Sequence, residues 1–369
     1  MTEVVRAFAP DWVSPPGSTV ADLLEERGWT QQALAQRSGF TTKHISLLIN
    51  GKAPITEDTA VKLERVLGST MRFWMTREAQ YREALARLEE RKVLLAKAEW
   101  LQRLPIKEMV RFGWIRLFEN KGDQVRECLR FFGVATVDAW ERQYSDPLVA
   151  YRASNKHSKD VGAVAAWLRQ GEREAEQIAC EPFDKSVFRQ VLSEARRLTN
   201  EDDPSVFVPR LVEACARAGV AVVLVPAPKG CPVSGATRWL GGDKALLMLS
   251  LRHKSNDHFW FSFFHEAGHL LLHGKKLLFV EVDNRIDSED EDQADAFAGS
   301  WLISSTDAAR LLSVPRTIQG VQAFAKQIGI APGIVVGRMQ KDALLPWTHL
   351  NGLKVRYQWD HERQQRAAA

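Results

Sequence analysis

Apolar residues recur three and four apart over most of the chain, the spacing that turns one face of an α-helix toward a core. In the first seventy residues these stretches are short and closely punctuated. Thr19 is placed to cap a first helix carrying Val20, Leu23 and Leu24, which Gly28 ends. Thr30 caps a second helix with Ala33 and Leu34 inward, and Gly39 is the turn that follows. Thr41 or Thr42 opens a third with Ile45, Leu48 and Ile49 on its inner side; Gly51 stops it and Pro54 prevents its extension. Thr56 begins a fourth helix that runs to Leu67. From Met71 to Leu101 the text is helical and dense in charges of both signs, which suits a solvated helix. Further helical stripes follow: Met109, Phe112, Ile115 and Leu117, then Val125, Leu129 and Phe132, then Val161, Val164, Ala165 and Leu168.

The pattern changes after Phe207. A helix near 208–218 ends at Gly219, and Val220 to Val225 is a β-branched run of strand length closed by Pro226. Val233–Leu240 and Ala245–Leu251 read as two more strands, with Gly241-Gly242-Asp243 as the hairpin turn between them. Long helices are expected over Asn256–His273 and Ser288–Leu302. The chain therefore reads as mainly α with an α+β C-terminal half. Its segments are a helical bundle over 1–78, a helical middle region over 79–203, an α+β domain with a small sheet over 204–310, and a helical extension and tail over 311–369.

Bulk composition narrows the class. A chain of 369 residues exceeds one ordinary core, so two or three domains are expected. Hydrophobic content of 45% and charged content of 26% are those of a globular protein, and a net charge of +4 does not by itself argue for nucleic acid. Cys128, Cys180, Cys215 and Cys231 are far apart and form no CxxC pair, which reads as reduced, mostly buried thiols rather than a thiolate metal site. Met1–Trp12 carries Glu3, Arg6 and Asp11 and lacks the profile of a secretory signal, and no apolar run has the length of a membrane span. A cytoplasmic protein without a membrane partner is the expectation.

The strongest chemical signal is His265-Glu266-Ala267-Gly268-His269. Positions i and i+4 share a helical face, so both imidazoles reach one ion, and Glu266 is placed as general base toward a hydrolytic water. Imidazoles with a carboxylate make Zn2+ the expected metal. An HExxH string also arises on charged surface turns, but Phe259, Trp260, Phe261, Phe263, Phe264, Leu270, Leu271 and Leu272 surround this copy and predict a buried helix. The third ligand is expected from the following helix. Ala294, Phe297, Ala298 and Trp301 mark its inner face, and three residues back from Ala294 lies Glu291. Asp295 is the reserve ligand, or the group that holds a ligand histidine in its tautomer. His273 stands one turn along as a substrate-side, supporting or structural histidine. The strand Ser234–Leu240 is expected to hold an extended substrate by edge pairing.

The second and third N-terminal helices, joined by a Gly-containing turn, have the helix-turn-helix arrangement. Thr41, Thr42, Lys43, Ser46 and His44 are the candidate groove-facing residues, Gln31 a phosphate contact, and Asn50 and Lys52 are near enough to contribute. Residues 1–80 hold 9 basic and 9 acidic residues, so affinity for operator DNA would need clustered cations or a homodimer. A purely protein-binding role is the competing reading.

Two resemblances rest on these residues. Thr30-Gln31-Gln32-Ala33-Leu34-Ala35 and Ile45-Ser46-Leu47-Leu48-Ile49-Asn50-Gly51-Lys52, within about 18–70, resemble the XRE-type helix-turn-helix of HigA antitoxins. Ser234–Trp239, the Phe259-Trp260-Phe261 lead into the HExxH string, and Glu291–Ala298 resemble the ImmA/IrrE metallopeptidases. Asp295 stands where that family often has asparagine. The second resemblance implies a zincin-like domain that cleaves a repressor or antitoxin in stress response or mobile-element control. The first implies operator binding and a toxin partner of the HigB kind. The alternative is a DNA-binding regulator or antitoxin whose peptidase-like domain senses or binds a partner without proteolysis. Residues 80–200 lie outside both resemblances.

Overall fold

The computed structural model describes residues 13–145, 161–274, 279–282 and 289–359. The Met1–Trp12 segment, Ser288 and the end of the C-terminal tail, on which sequence expectations also fall, lie outside them. The chain divides into two compact units, one of residues 1–99 with 117–127, the other of 100–116 with 128–369.

The first unit opens with five helices: α1 (Pro16–Glu26), α2 (Gln31–Ser38), α3 (Thr42–Ile49), α4 (Glu57–Leu67) and α5 (Met71–Leu95). Helix α1 starts before Thr19, because Pro16 occupies the first turn, where a missing N–H costs nothing. The side chains of Thr30, Thr41 and Thr56 cap α2, α3 and α4, and Gly39 ends α2 at φ 72°. Val20, Leu34, Ile45, Leu48, Leu63 and Trp74 form the buried core of this bundle. Only Trp74 and Glu78 of α5 are buried, which agrees with a solvated helix.

The second unit contains α6 (Ile106–Arg111), α8 (Val137–Trp140), α9 (Val161–Glu176), α10 (Lys185–Leu198) and α11 (Pro204–Ala216), with α7 (Lys121–Phe132) lying between α6 and α8 in the chain. Helix α11 begins earlier than the expected residue 208: Asp203 caps it, Pro204 fills its first turn, and it accommodates Pro209. Then come β1 (Val220–Leu224), β2 (Val233–Trp239), β3 (Ala245–Leu249), α12 (Asn256–Leu272), β4 (Phe279–Val282), α13 (Glu289–Leu302), α14 (Ser305–Arg310), α15 (Ile318–Ile328) and α16 (Pro332–Lys341). No helix among the described residues is long and apolar enough to cross a membrane.

The four strands are ordered β1-β3-β2-β4, with β1 parallel to β3 and β2 antiparallel to both its neighbours. Leu240 N–H donates to Lys244 O across the expected hairpin turn. Strand β2 is not an edge. Strand β4 covers its second side through Ala236↔Val280 and Thr237↔Phe279, so the expectation that β2 pairs with an extended substrate does not hold.

One sheet face packs on α12. Val220, Val222, Ala245, Leu247 and Leu249 share a core with Trp260, Phe263, Phe264, Ala267 and Leu271. The opposite face meets α9. Trp167 Nε1–H donates to Val225 O at 2.9 Å, and Arg238 of β2 ion-pairs with the buried Glu172 of α9.

Candidate metal centre

Helix α12 is buried along most of its length because aromatic and small residues surround its polar ones. The exceptions among the expected core positions are Phe261, which is half-buried, and Leu272, at 43% exposure near the helix end. His265 and Glu266 are 0% exposed and His269 is 1% exposed. The helix start is held by the C-terminal segment: Asn256 N–H donates to Val355 O at 2.9 Å, and Lys354 ion-pairs with Asp257 at 2.6 Å.

Helix α13 packs on α12 through small residues. A Cβ on Gly268 would meet Phe297 Cδ1 at 3.1 Å and Ala294 Cα at 3.3 Å, so glycine is what lets the two backbones close in. The first turn of α13 is acidic, Glu289 to Asp292, where the helix dipole favours carboxylates. Glu291 projects from that turn between the histidines: its Oε2 is 3.2 Å from His265 Nε2 and its Oε1 is 3.5 Å from His269 Nε2. The two Nε2 atoms are 3.0 Å apart.

The surrounding contacts decide where the imidazole protons sit. His265 Nδ1–H donates to Asp295 Oδ1 at 2.9 Å, and in the neutral tautomer this contact selects, Nε2 is the lone pair. The Gln293 amide N–H donates to Glu289 Oε1 at 3.1 Å, so its oxygen accepts from His273 Nε2–H at 3.3 Å. His273 Nδ1 is then an acceptor, and His269 Nδ1–H donates to it at 3.0 Å. The second Nε2 is therefore bare as well. Burial, reinforced by the neighbouring His265, pushes His269 down to about 3, so it is neutral at pH 7.

Two imidazole nitrogens and a carboxylate thus converge, all three ligand atoms within 4.8 Å of one another. Ligand bonds of 2.0–2.1 Å in tetrahedral geometry put donor atoms roughly 3.3 Å apart, close to the spacings seen. The donor set fits a divalent metal, and its nitrogen–oxygen chemistry fits zinc.

The Glu266 side chain lies against β2. A Cβ on Gly235 would stand 2.5 Å from Glu266 Oε1 and 2.7 Å from its Cγ, so β2 needs glycine there to admit the side chain. A cavity of about 620 Å³, lined by Phe261, Ser262, Leu302, Ile334 and Trp347 among others, reaches this cluster through Asp295, while His265, Glu266, His269 and Glu291 are not in its lining.

Residues 236–339 match the IrrE N-terminal-like domain of the M78 peptidase family. Residues 20–74 match the helix-turn-helix family. The chain carries both matches, one in each half, and no curated protein matches it. The IrrE-like match implies a metal, and the His-His-Glu cluster lies within it.

Sequence reading of the IrrE-like domain missed three neighbours of this cluster. Gly235 has no side chain to signal itself. Gln293 is one more polar residue on an acidic helix turn. Lys341, whose Nζ lies 3.4 Å from Asp295 Oδ2, is 46 residues from its partner.

In the helix-turn-helix unit, Gln31, Thr42, Lys43 and Lys52 are exposed. Thr41 is also exposed, but its hydroxyl accepts from His44 N–H as the α3 cap. The Asn50 amide donates to Ser46 O at 2.7 Å. His44 turns its ring against Phe40, with centroids 4.7 Å apart. Gln31, Thr42, Lys43 and Lys52 therefore project outward with no side-chain partner among the described residues, the side chains of Thr41, His44 and Asn50 contribute to the helix ends or the bundle, and half-buried Ser46 is engaged through its backbone carbonyl.

Proposed function

We propose that this protein is a zinc-dependent endopeptidase of regulatory type, carrying its own DNA-binding module and cleaving a repressor or antitoxin. The observation that carries the reading is the convergence of His265, His269 and Glu291 around one point on α12, with the Glu266 carboxylate on the same buried helix. His265, His269 and Glu291 are the metal ligands, and a zinc ion there supplies Lewis acidity for the scissile carbonyl and the attacking water. Asp295 fixes His265 in its Nε2-bare tautomer. His273 does the same for His269, with Gln293 behind it. Glu266 accepts the proton of the water on a carboxylate oxygen and returns it to the leaving amine nitrogen.

The neighbouring cavity is large enough for a bulky side chain of an extended peptide. The helix-turn-helix unit brings the enzyme to operator DNA through Gln31, Thr42, Lys43 and Lys52, with Thr41, His44, Ser46 and Asn50 shaping that surface. A homodimer would double these contacts over two half-sites. A toxin of the HigB kind is the partner expected if the substrate is an antitoxin.

The test is cleavage of repressor proteins encoded beside this gene, by wild type and by Glu266→Gln. Metal-dependent cutting by wild type, slowed by ~10²–10⁴-fold in the variant, is expected from loss of a general base. No cutting by wild type, with operator repression intact in both, refutes the enzyme reading in favour of a sensor.

A further inference from the structure

Strand β2 alternates between two environments. Ala236 pairs with Met248, which packs on Gly171 of α9, and Arg238 ion-pairs with Glu172 of the same helix. Gly235, Thr237 and Trp239 therefore face α12. Gly235 lies against Glu266, and Trp239 Nε1–H donates to Gly274 O at 3.1 Å, just beyond the end of α12. Strand and helix run side by side in the same direction. Thr237 stands between those two contacts, the next position along this face from the Glu266 carboxylate.

Thr237 is 1% exposed, and its hydroxyl has no hydrogen-bond partner among the described residues. Its cross-strand partners are Leu247 on β3 and Phe279 on β4, both apolar residues. A buried hydroxyl without a partner costs on the order of ten-fold in the folding equilibrium constant. Valine has the same shape, equal suitability for a strand and no such cost. Packing therefore gives no reason for an oxygen at 237, and the Glu266 carboxylate lies on the same face, against the position two residues back along the strand.

We propose that Thr237 is the positioning residue of the general base: its hydroxyl donates toward the Glu266 carboxylate across one water molecule and holds it oriented for proton transfer. The inference rests on the assignment of Glu266 as base. Successive same-face positions on a strand are about 7 Å apart, too far for a direct bond from a side chain seated on Gly235 and within the span of one bridging water.

The test uses the full chain with zinc, as wild type, Thr237→Val, Thr237→Ser, Glu266→Gln and the Val/Gln double variant. A fluorogenic peptide selected from a mixed library by wild-type cleavage is the kinetic probe. Thr237→Val is expected to lower kcat at least ten-fold with KM within two-fold, and Thr237→Ser to restore kcat within three-fold. Urea unfolding of the four corners of the Val/Gln cycle gives a readout without turnover. Coupling between the two sites is expected to exceed about two-fold in the folding equilibrium constant. An additive cycle, or a valine variant with wild-type kcat, overturns the proposal. Should Thr237→Val not fold, Thr237→Ala replaces it in both readouts. If wild type cleaves no peptide, the peptidase reading fails, and the unfolding cycle alone decides whether Thr237 and Glu266 are coupled.

Discussion

Replacing Gly235 by alanine adds one methyl group where β2 meets Glu266. The new Cβ would sit 2.5 Å from Oε1, 2.7 Å from Cγ and 2.9 Å from the carboxyl carbon, against 3.4 Å for ordinary van der Waals contact, so the side chain must retreat by roughly 0.7–0.9 Å. Both sides resist. The methyl is fixed to a strand held by β3 and β4, and α12 is buried along its length. Overpacking of this kind costs about 1–3 kcal/mol of folding stability. Misplacing a reacting group by about 1 Å costs on the order of 10²-fold in rate. Gly235→Ala should therefore fold, retain zinc at wild-type stoichiometry, and lose about 10²-fold in kcat, since His265, His269 and Glu291 converge on the α13 side of the helix. Peptide cleavage, metal analysis and urea unfolding on one preparation measure all three. Gly171→Ala is the control: the three atoms nearest its methyl all belong to the Met248 side chain, on the far side of the sheet from Glu266, so kcat should stay within two-fold. Wild-type kcat in Gly235→Ala would show that the base does not work from its position against β2.

Glu291→Ala should lose zinc outright on dialysis, whereas Asp295→Ala should keep it with affinity lowered about 10–100-fold; full retention by the Glu291 variant refutes the ligand assignment. Acid should weaken the metal-free protein through His269. Its folded pKa of about 3 lies below the unfolded value near 6.5, so its contribution is complete above 6.5 and is lost as pH falls from there toward 3. The loss from this one group approaches about 1.4 kcal/mol per pH unit, and His269→Gln should flatten the urea-midpoint profile accordingly; identical profiles refute the shift. Lys43→Ala should weaken operator binding and reduce the slope of log K against log salt by about 0.9, and unchanged binding points to a protein-docking role for this unit.

The elements that sequence resolved are those whose cause is local. Thr30, Thr41 and Thr56 cap helices because a hydroxyl satisfies an N–H within its own turn. Val220–Leu224 is a strand because β-branched residues fill both faces of a buried sheet. The spacing of Ala294 and Ala298 led back to Glu291, which lies beside both histidines for the same geometric reason. What sequence did not reveal depends on partners far along the chain. The short Phe279–Val282 strand has no periodicity to announce it, yet it closes the open side of β2. Lys354 reads as an ordinary surface cation until its carboxylate partner, Asp257, is known. Helix α11 starts at Pro204 because Asp203 caps it, a local signal obscured by the surrounding polar run.

The ion pair between Arg238 and Glu172 bears on where the peptidase half can be cut free. Met248 rests on Gly171, Trp167 bonds Val225 O, and Lys244 reaches the carbonyls of Ala175 and Ile178 at 2.6 Å. A fragment beginning at residue 204 would leave this side of the sheet wet and strip Arg238 of its countercharge. Such a truncation is expected to aggregate, whatever the state of its zinc ligands. The smallest soluble, assayable piece carrying the IrrE-like domain is expected to begin upstream of Val161, so truncation boundaries drawn from the family match alone would mistake a folding failure for an absence of activity.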